Sequence, residues 1–244
     1  MHEGKVVIIT GSGGGIGRYV AKTFARQRAK VVVSDIKPLD NVSKDLEEAE
    51  AEYLAIPADV TNVDSVRNLV DTVMDKYGRI DVLDNNAAIV THFQWGTGVW
   101  PRIAELDPAF WDKVIRTNLG GCFNCTRYVL PHMEAQRSGH IINMMGGSNA
   151  VGGSPYQVSK TAIAQFTHHI ALEERDYNIC AVAIGPNPPG ITGIATEDAP
   201  AEARARMRNV DVVGDRFVIA ATAPMEFSGK RIDVREDGTI VALD

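Results

Sequence analysis

Thr10-Gly11-Ser12-Gly13-Gly14-Gly15-Ile16-Gly17 follows directly on the apolar run Val6 to Thr10 and leads into a stretch of helical period. Strand, glycine-rich turn and helix in that order make a phosphate cradle. Glycines permit the tight turn and the close approach of backbone, and the helix N-terminus favours an anion. Gly11, Ser12, Gly15, Ile16 and Gly17 are therefore candidate cofactor-binding positions. The next β-branched run ends in Val33-Ser34-Asp35, with Asp35 18 residues after Gly17. A dinucleotide fold carries an acid there for the adenosine ribose hydroxyls. Asp35 would repel a 2′-phosphate, and no Arg or Lys stands inside the glycine turn to offset it, although Lys37 is close. NAD is thus preferred to NADP, and Ile36, beside the acid, joins the candidates.

Outward from this turn, short β-branched runs alternate with longer segments of helical period, the pattern of repeated βα units and a parallel sheet. Strands are predicted at Val6 to Thr10, Val31 to Ser34, Tyr53 to Ile56, Val82 to Leu83 with its flanks, Ile141 to Met144, Cys180 to Ile184 and Arg231 to Val234. Helices are predicted near Gly17 to Arg28, Val42 to Ala51, Val63 to Tyr77, Pro108 to Met133, Pro155 to Tyr177 and Arg216 to Thr222. Asp107-Pro108 is a strong helix start, since the carboxylate caps a free amide and proline suits the first turn. The fold expected is a single Rossmann-like doubly wound α/β domain over residues 1–244, a seven-stranded mostly parallel sheet with helices on both faces. Two long loops, 89–106 with Phe93, Trp95 and Trp100, and 185–213 with four prolines, are expected over the substrate site.

Composition narrows the function classes. A formal net charge of −6 with no basic cluster argues against a nucleic-acid partner. No leader pattern and no run long enough to span a bilayer are seen, so a cytoplasmic protein without membrane contact is expected. Cys122, Cys125 and Cys180 are an odd, scattered set. The Cys122/Cys125 spacing falls inside a predicted helix with no second pair, so buried helix side chains are expected and no metal site. His132, His168 and His169 lie on helical patterns without ligand spacing.

Further along, Asp59-Val60 after the third strand and Asn85-Asn86-Ala87-Ala88 after the fourth suit a bound nucleotide. A strand-end carboxylate can accept from an adenine amino group, and small residues let a cofactor lie against backbone. Asp59, Val60, Asn86 and Ala87 are candidates on that ground. Tyr156-Gln157-Val158-Ser159-Lys160 opens a predicted helix, and spacing of four puts the phenol and the ammonium on one face. A nearby cation favours the phenolate, lowering an ordinary pKa of about 10 toward the range of general acid/base chemistry.

Together these segments resemble the short-chain dehydrogenase/reductase family over nearly the whole chain: the TGxxxGIG run at Thr10 to Gly17, Asp35, Asp59-Val60, Asn85 to Ala88, Asn118 in Asn118-Leu119-Gly120-Gly121, and Tyr156 with Lys160. The resemblance implies Tyr156 as general acid/base, and Lys160 as a ligand of the nicotinamide ribose that also depresses the tyrosine. It implies Asn118 as the holder of a relay water, hydride transfer with NAD, a small alcohol or ketone as substrate, and a homo-oligomer, dimer or tetramer. Members carry a serine at the end of the fifth strand, where Gly146 stands here. Either Ser148, eight residues before Tyr156, takes that role or another donor replaces it.

Other departures are Ala88 in place of a glycine, Asp84 at a normally apolar strand end, and a Pro-Gly either moved to Pro189-Gly190 or altered to Ile184-Gly185. Thr192 is the candidate for the nicotinamide amide contact. After Ile232-Asp233-Val234 the family's glycine pair is replaced by Arg235-Glu236-Asp237-Gly238. Two other function classes fit the same residues: an NAD-retaining enzyme of elimination or isomerisation, and a non-catalytic nucleotide-binding sensor or scaffold using the aromatic loop. Met144-Met145 and the loop aromatics hint at an apolar or ring-shaped substrate.

Overall fold

The computed structural model describes residues 1–89, 101–146, 153–186 and 211–243, the side chains of 211 and 212 excepted. The glycine turn leads from β1 (Val6–Thr10) into α1 (Gly15–Arg26). There follow β2 (Lys30–Ser34), α2 (Asp40–Glu48), β3 (Tyr53–Ala55), α3 (Val63–Tyr77) and β4 (Val82–Asn85). The second half runs α4 (Pro108–Ile115), α5 (Gly121–Gln136), β5 (Gly139–Met144), α6 (Ser154–Glu173), β6 (Ile179–Ile184), α7 (Asp211–Ala220), β7 (Arg231–Val234) and β8 (Ile240–Leu243).

The strands form one sheet in the order β3-β2-β1-β4-β5-β6-β7-β8, parallel throughout except for the antiparallel β7–β8 pair. The chain order reverses between β1 and β4, and the carboxyl edge at that switch point is where doubly wound sheets bind ligands.

Both faces are covered, so the central strands read as continuous apolar runs rather than alternating ones. Val7, Ile9, Val31, Val33, Val82, Ile142 and Val182 pack against Val20 and Phe24 of α1, Leu46 of α2 and Phe217 of α7. The residues between them, among them Val6, Ile8, Val32, Leu83 and Ile141, pack against Leu69 and Val73 of α3, Val129 and Met133 of α5, and Ile170 of α6.

Local signals set several boundaries. Asp107 accepts from the Ala109 amide at 2.9 Å with Pro108 next in the first turn, as its residue types require. Asn62 caps α3 by accepting from the Asp64 and Ser65 amides, and Gly78 closes it at φ +69°.

Three elements depart from expectation. The helix expected from Pro108 to Met133 is broken into α4 and α5 by a single π-helical turn, Arg116–Gly120, that carries Asn118. The sheet has eight strands rather than seven. Gly238, at φ +83°, turns the chain after β7, and Arg235 N–H donates to the Thr239 carbonyl, so that β8 pairs back on β7. The helix expected at Arg216 begins earlier, at Asp211. No helix among the described residues is long and apolar enough to cross a membrane.

Candidate active site

The β1–α1 turn has the form of an anion cradle. α1 begins on Gly14 and Gly15 without any side-chain cap, so its first amides are free of internal partners. Crowding excludes side chains at Gly11 and Gly17. A Cβ on Gly11 would fall against the Ala87 backbone, and one on Gly17 against the Asn86 side chain and the Gly11 carbonyl. Asn86 is the strut: its Nδ2 donates to the Thr10 carbonyl at 2.9 Å and the Gly11 carbonyl at 3.0 Å. Ala87 N–H donates to Thr10 Oγ1 at 3.2 Å. Loop β4–α4 and the glycine turn are thereby held as one surface.

Asp35 accepts from the Gly13 amide at 2.9 Å through Oδ2 and from the Lys37 amide at 3.0 Å through Oδ1. The acid therefore stands at the mouth of the turn, with Ile36 74% exposed beside it. Arg18, just past the glycine run, has its guanidinium on Asp45 of α2 in a bidentate pair at 2.6 and 3.0 Å. Ser12 differs from expectation. Its side chain is fully buried, its hydroxyl donates to the Ile9 and Ser34 carbonyls and accepts from the Ser34 amide at 2.8 Å. It clasps β1 to β2, and the Ser12 amide belongs to the same clasp, donating to the Ser34 carbonyl at 3.1 Å. An uncapped helix start, a turn crowded at Gly11 and Gly17 and a strand-end carboxylate fit a dinucleotide; Gly11, Gly15, Ile16, Gly17 and Asp35 would hold it.

Asp59 is exposed, and its carboxylate accepts from the Thr61 amide and hydroxyl, both at 2.8 Å. Val60 is buried against Gly121, where a Cβ would meet its side chain, and its carbonyl accepts from Asn124 Nδ2 at 2.8 Å. Val60 therefore seats α5.

Asn118, 1% exposed, binds in two directions. Its Oδ1 accepts from the Ile89 amide at 2.7 Å and its Nδ2 donates to the Ile89 carbonyl at 3.2 Å. The same Nδ2 donates to Ser159 Oγ at 3.0 Å, and Ser159 donates to the Tyr156 carbonyl at 2.7 Å. The π turn thus ties the chain after β4 to the helix that carries the phenol. Asn118 reaches the helix of Lys160 through Ser159, a residue its type alone does not single out.

Lys160, 2% exposed, donates from Nζ to the Met144 carbonyl at 2.8 Å, and Nζ lies 5.6 Å from the centre of the Tyr156 ring. The Tyr156 hydroxyl stands over Gly146, where a Cβ would collide with it and come 3.3 Å from Cζ. The sequence predicts a phenol lowered by its lysine, but the structure has the opposite direction. Burial pushes Tyr156 up to about 12, and burial pulls Lys160 down to about 8 against the opposing pull of Cys122 and Asp84. Desolvation outweighs the attraction because both groups are shut away from water.

Behind the site, Asn85 Nδ2 donates to Thr126 Oγ1 at 3.0 Å and Asn143 Oδ1 at 2.8 Å, and Asn143 Nδ2 donates to Thr167 Oγ1 at 2.9 Å. Asn143 also receives Cys122 Sγ at 3.2 Å. A polar residue at an inward strand position, as in Ile141-Ile142-Asn143, was the available signal for this network. Cys122 and Cys125 are free and buried, and burial raises both thiols. No group of metal-ligating side chains is found among the described residues. Ser148, Thr192, Phe93, Trp95 and Trp100 lie outside the described residues.

A family profile for short chain dehydrogenases matches residues 5–212. A 3-oxoacyl-[acyl-carrier-protein] reductase of Thermotoga maritima is 38% identical over 210 residues, 83% of this chain and 80% of its own. The crystal structure of an NAD+-bound xylitol dehydrogenase is similar with a TM-score of 0.69 at 29% identity, over 77% of this chain and 72% of that one. A metagenomic short-chain oxidoreductase in complex with NADP shares the fold, with a TM-score of 0.75 at 24% identity over 92% of this chain and 94% of that one. The chain belongs to the short-chain dehydrogenase family, oxidoreductases whose fold binds a nicotinamide dinucleotide.

Proposed function

We propose that this chain is an NAD-dependent oxidoreductase acting on a CH–OH group, interconverting a secondary alcohol and a ketone, with Tyr156 as general acid/base. The observation that carries the reading is the cluster of Tyr156, Lys160 and Asn118 at the carboxyl edge of the sheet, beside the glycine turn. The phenol sits over Gly146, the ammonium on the Met144 carbonyl, and the helix is pinned through Ser159 to Asn118. NAD, when bound, supplies the hydride acceptor, or the donor when reduced.

A phenol that stays protonated up to about 12 is a proton donor at neutral pH. Tyr156 is suited to protonate the oxygen of a ketone as that ketone is reduced. In the other direction, the charge on Lys160 would draw the proton of Tyr156 toward release. Asn118 holds the phenol's helix in place against the chain after β4. The preference for NAD rests on Asp35 at the mouth of the glycine turn, where a 2′-phosphate would meet a carboxylate, and on Arg18 being held by Asp45. The names of the reductase and the xylitol dehydrogenase to which the chain is similar favour alcohol–carbonyl chemistry.

The test is to titrate NAD and NADP separately, then to screen alcohols and ketones with the cofactor that binds. Tyr156→Phe is expected to lower turnover by ~10²–10⁴-fold with cofactor affinity retained; full turnover in that variant would overturn the assignment. Turnover without a change in nicotinamide absorbance would select elimination or isomerisation, and cofactor binding without turnover would select the sensor or scaffold. Residues 1–244 are read as one domain of a cytoplasmic homo-oligomer, a dimer or tetramer. A monomer by light scattering at micromolar concentration would overturn that assembly.

A further inference from the structure

β5 lies between β4 and β6, and its main-chain amides serve the two neighbours alternately. His140 N–H donates to the Asp81 carbonyl on the β4 side at 2.9 Å, and Met145 N–H donates to the Ile184 carbonyl of β6 at 2.8 Å. Even-numbered amides therefore face β4 and odd-numbered ones face β6. The Gly146 N–H, next after Met145, faces the β4 side. There β4 has already ended at Asn85, the register partner of Asn143. The ladder runs on toward β6 but has stopped toward β4. Among the described residues nothing accepts from the Gly146 amide, which is left facing the space beyond the end of β4.

The Tyr156 hydroxyl is at the same spot. It stands in collision range of a Cβ on Gly146, and a Cβ lies about 2.5 Å from its own amide nitrogen, so phenol oxygen and amide nitrogen are within about 5 Å of each other. Two donors at that spacing can reach one oxygen at ordinary hydrogen-bond length from both. Lys160 leaves the amide free, since its Nζ is spent on the Met144 carbonyl, two residues back along β5. A ketone oxygen offers two lone pairs, and as it takes up charge during reduction it gains from a donor on each. Position 146 has no side chain, so the donor that stands beside the phenol there is the main chain.

We propose that the Gly146 N–H is a second catalytic donor, which together with the Tyr156 hydroxyl binds the oxygen of the ketone or alcohol substrate. In reduction the carbonyl carbon takes the hydride from the reduced nicotinamide, which is thereby oxidised. The Tyr156 O–H bond breaks, and its proton forms the alcohol O–H and leaves a phenolate. The Gly146 N–H bond stays intact throughout and only donates. It is held ready by the Met145 bond to β6, which anchors the preceding peptide. The inference rests on the reading of Tyr156 as acid/base, and adds what holds the oxygen while the proton moves.

Protein with glycolic acid in place of Gly146, introduced by nonsense suppression, has an ester oxygen where the N–H was and gains no Cβ. Its kcat, with a substrate from the screen of alcohols and ketones, is expected to fall by ~10²–10³-fold, the effect of removing one such donor, with the affinity for NAD kept within about twofold. A kcat within about threefold of native overturns the proposal. If the ester variant fails to fold, amide hydrogen exchange on the native protein carries the test. The Gly146 amide is expected to be at least ~10-fold less protected than that of Met145, and to gain protection when NAD and a ketone from the screen, both oxidised and so unreactive together, are added. Equal protection in the free protein, or no gain in the complex, overturns the proposal. A loss of turnover in Ser148→Ala with none in the ester variant gives the second bond to that hydroxyl and overturns it as well. Full turnover in Tyr156→Phe would sink the acid/base reading; an inactive Tyr156→Phe beside an ester variant of native turnover sinks this inference alone.

Discussion

The hydroxyl of Tyr156 rests directly over the α-carbon of Gly146, at the end of β5, in a space that any side chain at position 146 would occupy. The absence of a Cβ is therefore part of the site: it lets the phenol reach the sheet edge. Gly146→Ala and Gly146→Ser should both displace the hydroxyl. A shift of about 1 Å in a reacting group can lower turnover by ~10²-fold, and a loss of at least ~10-fold is expected here with cofactor affinity unchanged. Measured kcat beside a cofactor titration checks this. Higher turnover in Gly146→Ser would mean that the position awaits a hydroxyl rather than housing one.

Asp35 governs the choice of cofactor. Removing its charge in Asp35→Asn takes away the repulsion that a 2′-phosphate would meet beside Gly13. The ratio of Kd for NADP to Kd for NAD is expected to fall by about tenfold, or ~1.4 kcal/mol. Fluorescence titration of the two reduced cofactors reads it directly, and an unchanged ratio would remove Asp35 from cofactor recognition.

Asp84→Val should stabilise the fold. A buried carboxyl without a partner costs about 1–3 kcal/mol, and a chain of this size gains ~2–4 °C in Tm per kcal/mol. The advantage depends on pH in a definite sense. The Asp84 carboxyl is raised from 3.8 to about 8 by burial, so the folded state binds the proton more tightly than the unfolded one. The native protein then loses stability as pH rises from about 4 to about 8, while the valine variant has no such term. Melting both proteins between pH 5 and 9 should show the gap widening upward, and a gap that narrows would contradict the burial argument.

Ser159→Ala removes the bridge between Asn118 and the Tyr156 helix without opening space for more than one atom. Alanine is the better helix former, so any loss comes from the hydrogen bonds to Asn118 and the Tyr156 carbonyl. A drop of about 1–3 kcal/mol is expected, the cost of leaving buried polar groups unpaired. A thermal melt equal to or above that of the native chain would show that the bridge adds nothing.

The parts of this protein that sequence by itself determined are those whose physics is local. The turn Thr10 to Gly17, the β-branched runs on either side of it and the Asp107-Pro108 helix start each depend on a few adjacent residues. Their residue types already state the backbone they need. Asp35 and the Tyr156–Lys160 spacing were legible for the same reason, one from its distance to the glycine turn and the other from the helical period.

Tertiary structure alone decided the rest, because burial and pairing are set by residues far apart in the chain. Ser12 proved to be a clasp between strands, since Ser34 lies across from it. The helix from Pro108 was interrupted where Asn118 meets Ile89 and Ser159. The direction of the Tyr156 shift also reversed. A lysine four residues away is a local fact, but the loss of water around both groups is made by the whole fold, and at that depth desolvation is the larger effect.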